Sequence, residues 1–424
     1  MIDNRSHGQP EANAATKPDG GVRLRSTSII MMLGALVAVG PLTIDMYLPA
    51  LPAIVGDLDT TEPLVQLTLT GTLLGLGLGQ LFVGPVSDSA GRRRPLLAGL
   101  ALHVVASLLA AVAWDISVLG GLRVLQGLGA AAATVVAVAV VRDLFEGRAA
   151  ATAISRLMLV MGAAPILAPI LGSAVLLAGS WRWVFGALAV LGIALMVGAA
   201  AALPETHPPQ RRPPAGLAQV WHGYQSILRD GQFVLLALAG GLTFGAMFSY
   251  VAGSSFVLQQ QFGLDEQQFG LLFGVSAVAM IGGAQLNPLL LRRFSPPVVA
   301  RVASAWTAAT GLVLATLQVA EIGSLLGFVV PVLGMLAAGA VVVPNTEALA
   351  LSRHGDNAGT AAAVIGAIRF SFGALVAVVV GALGNDGLAT ATAMTGSAVA
   401  GGIALALFAG REQASPKDIV GGRQ

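Results

Sequence analysis

Gly84-Pro85-Val86-Ser87-Asp88-Ser89-Ala90-Gly91-Arg92-Arg93-Arg94-Pro95 separates two long apolar runs and carries one carboxylate and three consecutive arginines. A connection this short must reverse the chain at once, which accounts for Gly84, Pro85 and Gly91, and its arginines must stay in water. It reads as a cytoplasmic hairpin between two membrane spans.

Working outward, the composition agrees. The chain is 55% hydrophobic and 10% charged, with a mean hydropathy of +0.81 and 54 glycines scattered through apolar stretches. A soluble fold could not carry that surface, whereas glycine and proline are frequent in membrane helices because neighbouring helices satisfy the backbone groups they free. The formal net charge of +2 says little by itself. With no cysteine there is no disulfide, no thiol chemistry and no thiolate metal site.

A membrane helix needs about 20 predominantly apolar residues. Twelve stretches qualify, at roughly 29–54, 63–86, 95–113, 116–141, 149–178, 181–203, 232–258, 267–291, 298–319, 323–346, 360–384 and 387–410. They predict an all-α membrane protein: an N-terminal tail 1–28, a first group of spans 29–203, a polar linker 204–231, a second group 232–410 and a C-terminal tail 411–424. The tail 1–28 lacks the cleavage pattern of a signal peptide, so span 1 is expected to be retained.

Orientation follows from the cations, because Lys and Arg in short loops mark the cytoplasmic side. Nineteen of the 23 fall in the two tails and in loops 2/3, 4/5, 6/7, 8/9 and 10/11. The alternate loops hold Asp57, Asp59, Glu62, Asp115, Asp265, Glu266, Glu321 and Asp386, with Arg182 as their only cation. Both termini are expected in the cytoplasm, and the membrane to be the cell's inner (plasma) membrane. Six spans, a linker and six more suggest an internal repeat. Loop 8/9, from Asn287 to Pro297, repeats the arginine pair and terminal proline of loop 2/3 without its acid.

On these residues the chain resembles the major facilitator superfamily, and within it the Bcr/CflA group of twelve-span drug:proton antiporters. The resemblance rests on Pro41-Leu42-Thr43-Ile44-Asp45-Met46-Tyr47-Leu48-Pro49-Ala50-Leu51-Pro52, the 84–95 turn, Arg123-Val124-Leu125-Gln126-Gly127, Pro165-Ile166-Leu167-Ala168-Pro169, and Ala358-Gly359-Thr360-Ala361-Ala362 leading into Arg369-Phe370. It implies two pseudo-symmetric six-helix bundles around a cavity open alternately to either face, working as a monomer. It implies no cofactor beyond the proton gradient, and protons and a small-molecule substrate as partners besides the lipid bilayer.

The charges inside the spans can be read without the family. A buried Asp or Arg costs about 2.5 to 3.5 kcal/mol on insertion scales, so something must offset it. Asp45 and Arg123 lie roughly 14 and 10 Å below the same surface, counted at 1.5 Å per residue, and are matched in depth for pairing. Pro41, Asp45 and Pro49 share one helix face, and the prolines bend the helix around the acid. Two readings stay open for the pair. Asp45 takes a proton from outside and releases it inside with Arg123 setting its affinity, or the two form a static ion pair that fixes packing.

In the turn, Gly84, Asp88, Gly91, Arg92 and Arg93 read either as a cytoplasmic gate or as topogenic charge. Asp88 is the gate residue, with Arg142 at the end of span 4 and the helix start near Thr360 as its expected partners. In span 5, Gly162, Pro165, Pro169 and Gly172 give a bent helix open to close approach. In antiporters of the superfamily a similar pattern lies between the halves, although Ala168 and Ser173 stand where that pattern often has glycine. Gly71, Gly75 and Gly79 have the spacing of helix packing.

Tyr47, Gln126, Phe244, Phe248, Tyr250 and Arg369 are candidate cavity residues, with core packing as the alternative for the aromatics. Arg369 has no visible acid at its depth; it binds an anionic or polar substrate group, or backbone carbonyls and Gln285 or Asn287 satisfy it. His103 reads as packing before relay, and Arg156 as snorkelling. No phosphate-binding loop, His-Glu-x-x-His helix or Gly-x-Ser-x-Gly elbow occurs, which argues against an ATP-driven pump or a membrane enzyme. No nucleic-acid or metal site is expected. The function expected is drug export in exchange for protons; the alternative is a proton-coupled carrier of a metabolite such as an amino acid or peptide.

Overall fold

The computed structural model describes residues 20–212 and 216–414, and among them every regular element is helical. Twelve helices are long and apolar enough to cross a membrane: Ser28–Asp57, Glu62–Ala90, Arg93–Ala111, Ile116–Leu144, Thr152–Leu177, Arg182–Ala202, Gly231–Gln261, Glu266–Leu291, Pro296–Val319, Ser324–Ser352, Ala358–Leu383 and Gly387–Gly410. They are numbered spans 1 to 12 below and correspond one for one to the predicted set. The helices of spans 1 and 12 run on to Gly20 and Ala414. The remainder of the predicted tails lies outside the described residues.

The acids in the loops serve helix starts, where the first backbone N–H groups have no partner within the helix. Asp115 accepts from Ser117 N and Val118 N, Asp230 from Gln232 N and Phe233 N, and Asp386 from Ala389 N. Asp265 forms a reciprocal box with Gln268. Arg182, the lone cation on the acidic face, is ion-paired with Asp57, whose carboxylate also accepts from Trp181 Nε1 at 2.9 Å.

Within the first half, spans 2 and 4 touch backbone to backbone. A methyl group placed on Gly75 or on Gly127 would sit 2.1 Å from a carbonyl oxygen of the other helix, Val124 or Thr72 respectively. Small residues permit that approach, and dispersion across the full contact holds it. The halves meet along two seams, span 2 against span 11 and span 5 against span 8. Thr70 Oγ1 donates to Ala374 O at 3.4 Å across the first, and Ser173 Oγ donates to Glu266 O at 2.7 Å across the second.

Span 1 is discontinuous. Its first helix ends at Asp45, a turn follows through Met46 and Tyr47, a single 3₁₀ turn occupies Leu48–Ala50, and the helix resumes over Leu51–Asp57. Proline explains the position: Pro49 and Pro52 lack the N–H groups that would bond the carbonyls of Asp45 and Leu48. The Leu48 carbonyl accepts from Leu51 N within the 3₁₀ turn and also from Ser255 Oγ of span 7 at 2.7 Å, and Pro49 O accepts from Gln259 Nε2 at 3.3 Å. The two bonds from span 7 tie the halves together on the face opposite the arginines.

The linker, expected as a simple polar connection, contains a helix, Leu217–Leu228. It is amphipathic: Ile227 is buried, Tyr224 donates to Leu81 O at 2.6 Å, and Trp221 and Leu228 are exposed. Such a helix lies along a membrane surface with its apolar side inward.

The seam between spans 2 and 4 predicts opposite outcomes for two glycines. Gly127→Val should lower the apparent melting temperature in detergent by the equivalent of about 1 to 3 kcal/mol, the usual cost of overpacking. Gly84→Ala should leave it unchanged, because nothing lies within 4 Å of the added carbon.

Candidate functional site

The break in span 1 sets the site. Arg123 is fully buried on span 4, and its Nη1 and Nη2 both donate to Thr43 O at 3.1 Å, a carbonyl that the turn after Asp45 leaves without its helical partner. Nη1 also donates to Gln126 Oε1, and Gln126 Nε2 donates to Ser107 Oγ at 2.8 Å. The guanidinium carbon stands 4.4 Å from the Tyr47 ring centre and 5.6 Å from that of Phe185, close enough for cation–π attraction. Tyr47 is held in turn by a 2.9 Å bond to Thr68.

Asp45 is buried at 6% exposure and makes no ion pair or hydrogen bond among the described residues. The direct Asp45–Arg123 pair allowed by their matched depths is therefore absent in this conformation. The broken helix offers the arginine a backbone carbonyl instead. Tyr47 and Gln126, expected on a cavity wall, are completely buried as supports of Arg123. His103 is buried against Gln126 O at 3.3 Å, in keeping with packing.

Span 5 closes over the break. A methyl group on Gly172 would stand 2.2 Å from Met46 O, so only glycine permits this contact beside Asp45. Pro169 leaves its own carbonyl to Ser173 Oγ at 2.8 Å, and Ser173 is the residue that bonds span 8. Gly162 faces Ile281 of span 8 at 3.6 Å. Gly162, Pro165, Pro169 and Gly172 thus lie on a helix that touches both the other half and the span 1 break.

Residues 84–90, expected as part of the turn, instead continue the helix of span 2 through Pro85, and the reversal is confined to Gly91 and Arg92 before span 3 starts at Arg93. The stretch 84–95 forms a network of a different kind from the one expected. Asp88 is ion-paired with Arg92, and Arg92 Nε donates to Asp143 at 2.9 Å. Asp143 also accepts from Thr206 at 2.9 Å, while Glu205 accepts from the backbone N–H groups of Arg92 at 2.8 Å and Arg93 at 3.3 Å. Gly91 has φ +90°, and a methyl group there would strike Glu205 and Arg212. Burial opposes the charge on Arg92, but Asp143 and Asp88 hold it above the ordinary arginine value. Burial likewise opposes the charge on Glu205, yet the N–H groups of Arg92, His207 and Arg93 and the charge of Arg212 hold it below the usual carboxylate range.

Two expectations are corrected here. Arg142 is exposed and bonds nothing among the described residues; its neighbour Asp143 is the participant. Thr360 meets Gly223 of the linker helix, not Asp88. The network joins loop 2/3, the end of span 4 and the start of the linker, all on the first half.

In the second half, Arg369 does have an acid: Glu347 of span 10, with Nη1 and Oε2 3.7 Å apart. Sequence reading missed it, and Asn287, offered as a partner for Arg369, is taken by Asn345 Nδ2 at 2.7 Å. The Arg369 guanidinium lies 5.6 Å from the Phe244 ring centre and 5.4 Å from that of Phe370. Phe248 and Tyr250 are buried, Tyr250 in a 2.8 Å bond with Ser276, so of the six candidate cavity residues only Phe244 and Arg369 keep appreciable exposed surface. A second cluster also went unread: Asp230 caps span 7 and binds Arg353 Nε at 2.8 Å and His354 Nε2 at 3.2 Å.

A broken span beside a buried acid, two glycine-rich halves and two seams define a twelve-span carrier. The Major Facilitator Superfamily pattern matches residues 31–378, and the chain belongs to that family. It is 33% identical over 364 residues to a chloramphenicol resistance protein of Pseudomonas aeruginosa, covering 84% of each chain. It is 31% identical over 366 residues to a bicyclomycin resistance protein homolog of Haemophilus influenzae, covering 85% of this chain and 91% of the other. It is 36% identical over 393 residues to the MFS-type transporter YdgK of Bacillus subtilis, covering 91% and 96%. Among solved structures it shares the fold of the xylose transporter XylE of E. coli, with a TM-score of 0.70, 12% identity and coverage of 95% and 100%.

The turn network yields a prediction for each arginine. Arg92→Gln leaves Asp143 and Asp88 without their cation and should cost about 1 to 3 kcal/mol of stability, read as a drop in melting temperature; Arg142→Gln should cost nothing measurable. Glu205 has a depressed folded value, so its contribution is present above about pH 4.3 and is lost as pH falls below that. Glu205→Gln should therefore flatten the fall in melting temperature on acidification through that window.

Proposed function

We propose that this protein exports drugs or other small amphiphilic compounds in exchange for protons, by alternating access, from the inner (plasma) membrane. The single observation that carries the coupling is Asp45: a buried, unpaired carboxyl at the break of span 1, under Gly172 of span 5. The names of the relatives that resist chloramphenicol and bicyclomycin favour drugs as cargo. In this reading the chain is no enzyme and needs no cofactor besides the proton gradient. It acts as a monomer with bundles at 29–203 and 232–410.

The cation bias makes the arginine-rich face cytoplasmic, with both termini there. On that assignment the bonds from Leu48 to Ser255 and from Pro49 to Gln259 close the extracellular side. Burying an unpaired carboxylate as an anion is costly, so loading Asp45 with a proton is what lets the outer side close over it. Once cytoplasmic water reaches the break, the proton leaves and the drug takes the cavity. Arg123, fixed by the Thr43 carbonyl, holds the inner end of the break in place. The 84–95 network makes a rigid cytoplasmic rim for the first half, against which the second half moves.

The test uses everted vesicles holding the protein and a pH-sensitive dye, with the lumen made acidic. Addition of chloramphenicol should release luminal protons in the wild type, and Asp45→Asn should abolish that release at unchanged protein level. Proton release by Asp45→Asn equal to the wild type would end the assignment of coupling to this acid.

A further inference from the structure

Arginines inside a membrane protein normally spend their donors. Arg123 gives bonds to Thr43 O and Gln126, and Arg92 gives bonds to Asp143, Ser87 and Asp88. Arg369 is different in its Nη groups: its contact with Glu347, at 3.7 Å, is electrostatic without a hydrogen bond, and its Nε, like that of Arg123, is buried with no acceptor among the described residues. None of its N–H groups donates a hydrogen bond among the described residues. The side chains of Arg369 and Glu347 nevertheless keep 26% and 36% of their surface accessible at membrane depth. Charged groups accessible there face a water-filled cavity and not lipid.

The surroundings are as specific as the charge. Phe244 and Phe370 flank the guanidinium and stand edge to face with each other at 5.9 Å, and Phe248 stacks on Phe244 at 5.9 Å. Against Arg369 lies a pocket of about 10 Å³ lined by Gly240, Gly241, Thr346 and Glu347 and by apolar residues such as Leu236 and Ile365. That is room for about one water molecule, so a carboxylate must reach the guanidinium from its accessible side. A planar fork of unspent donors matches a carboxylate, and the phenyl wall beside it matches an aromatic ring.

We infer that Arg369 is the recognition residue for the carboxylate of aromatic carboxylate substrates, and that Glu347 is its internal competitor, holding the guanidinium until such a substrate displaces it. This deepens the export reading, on which it rests for the direction of transport. A carboxylate on the substrate takes both the charge and the hydrogen-bond geometry that Glu347 supplies only in part. Glu347 then turns to the water of the cavity. A neutral aromatic compound uses the phenyl wall alone and leaves the pair in place.

The sign of the effect separates this from a structural ion pair, whose two halves would fail alike. Purified protein in detergent at pH 7.5 is titrated calorimetrically with 4-nitrobenzoate, and with chloramphenicol as the neutral nitroaryl reference. Arg369→Gln should weaken nitrobenzoate binding at least about ten-fold, the worth of a charge-assisted pair. Glu347→Gln should tighten it by about two- to five-fold, the worth of a partly exposed ion pair removed from competition. Chloramphenicol serves as the neutral comparison, and an elution profile and melting temperature like the wild type's show that both variants are folded. Absence of nitrobenzoate binding to the wild type, or a change of the same sign in both variants, overturns the inference. Normal nitrobenzoate behaviour with no drug-driven proton release in vesicles would leave this site standing and remove the export reading instead.

Discussion

The bond pair from Arg123 to the Thr43 carbonyl is the interaction around which the first half is arranged. In a bilayer every backbone polar group must find a partner inside the protein, and the helix that breaks after Asp45 leaves such groups free. Arg123 fills one of them from span 4, with both Nη atoms at 3.1 Å. A carbonyl satisfies donors without cancelling charge, so the guanidinium is further held by the rings of Tyr47 and Phe185. Everything that supports this arginine, from Gln126 and Ser107 to Thr68, is thereby drawn out of any cavity and into the core. Asp45, on the same broken segment, is left without a side-chain partner among the described residues.

The contacts within and between the halves differ in kind, and the difference decides what can move. Inside the first half, spans 2 and 4 meet glycine against backbone, with no space for another carbon. Close-packed contacts of that sort do not slide by degrees. Between the halves, single side-chain hydroxyls and amides reach single carbonyls, as in Ser255 to Leu48, Gln259 to Pro49 and Ser173 to Glu266. Each is worth only about 0.5 to 1.5 kcal/mol net, a sum that substrate or proton binding can outweigh. The seams are also packed: a methyl group on Gly366 would stand 3.0 Å from Gln80 and one on Gly373 3.2 Å from Leu73, both of span 2. Gly172 packs against Met46 O, next in sequence to Asp45, and Pro169 and Ser173 pack against Gly270 of span 8, so span 5 links the break in span 1 to the other half.

The spans were legible because membrane insertion demands long apolar runs, and the four-residue glycine spacing of span 2 marks a packing face by itself. What escaped the sequence were contacts that depend on how helices are set against one another. Glu347 was hidden because residues were matched by distance from the span ends. Its backbone sits about one and a half turns from one end while that of Arg369 sits three turns from the same face, and two long side chains bridge the gap. Asp143 was passed over for Arg142 because a one-residue step turns the side chain by about 100 degrees around the helix. The linker helix carried its signal in Val220, Tyr224 and Ile227, a helical repeat too short to stand out beside runs of twenty apolar residues. The freed Thr43 carbonyl leaves no mark of its own in the sequence, since any residue would have supplied one.

The two halves share a fold but handle charge in opposite ways. In the first, the arginine spends both Nη groups on a backbone carbonyl and Gln126, and the acid is left unpaired; in the second, the arginine keeps its donors and the acid stands at a loose 3.7 Å. Pseudo-symmetry of helices therefore does not extend to the chemistry of the cavity walls. A compound between the halves meets on one side a group that can bind or lose a proton, and on the other a fixed positive charge edged with phenyl rings. On the export reading proposed above, the broken span 1 would hold the proton and the Arg369 wall would read the substrate. The second half is not uniformly regular either, since span 7 turns π-helical over Phe256–Gln261, so a broken span alone does not distinguish the two walls; the unpaired carboxyl of one and the Arg369–Glu347 pair of the other do.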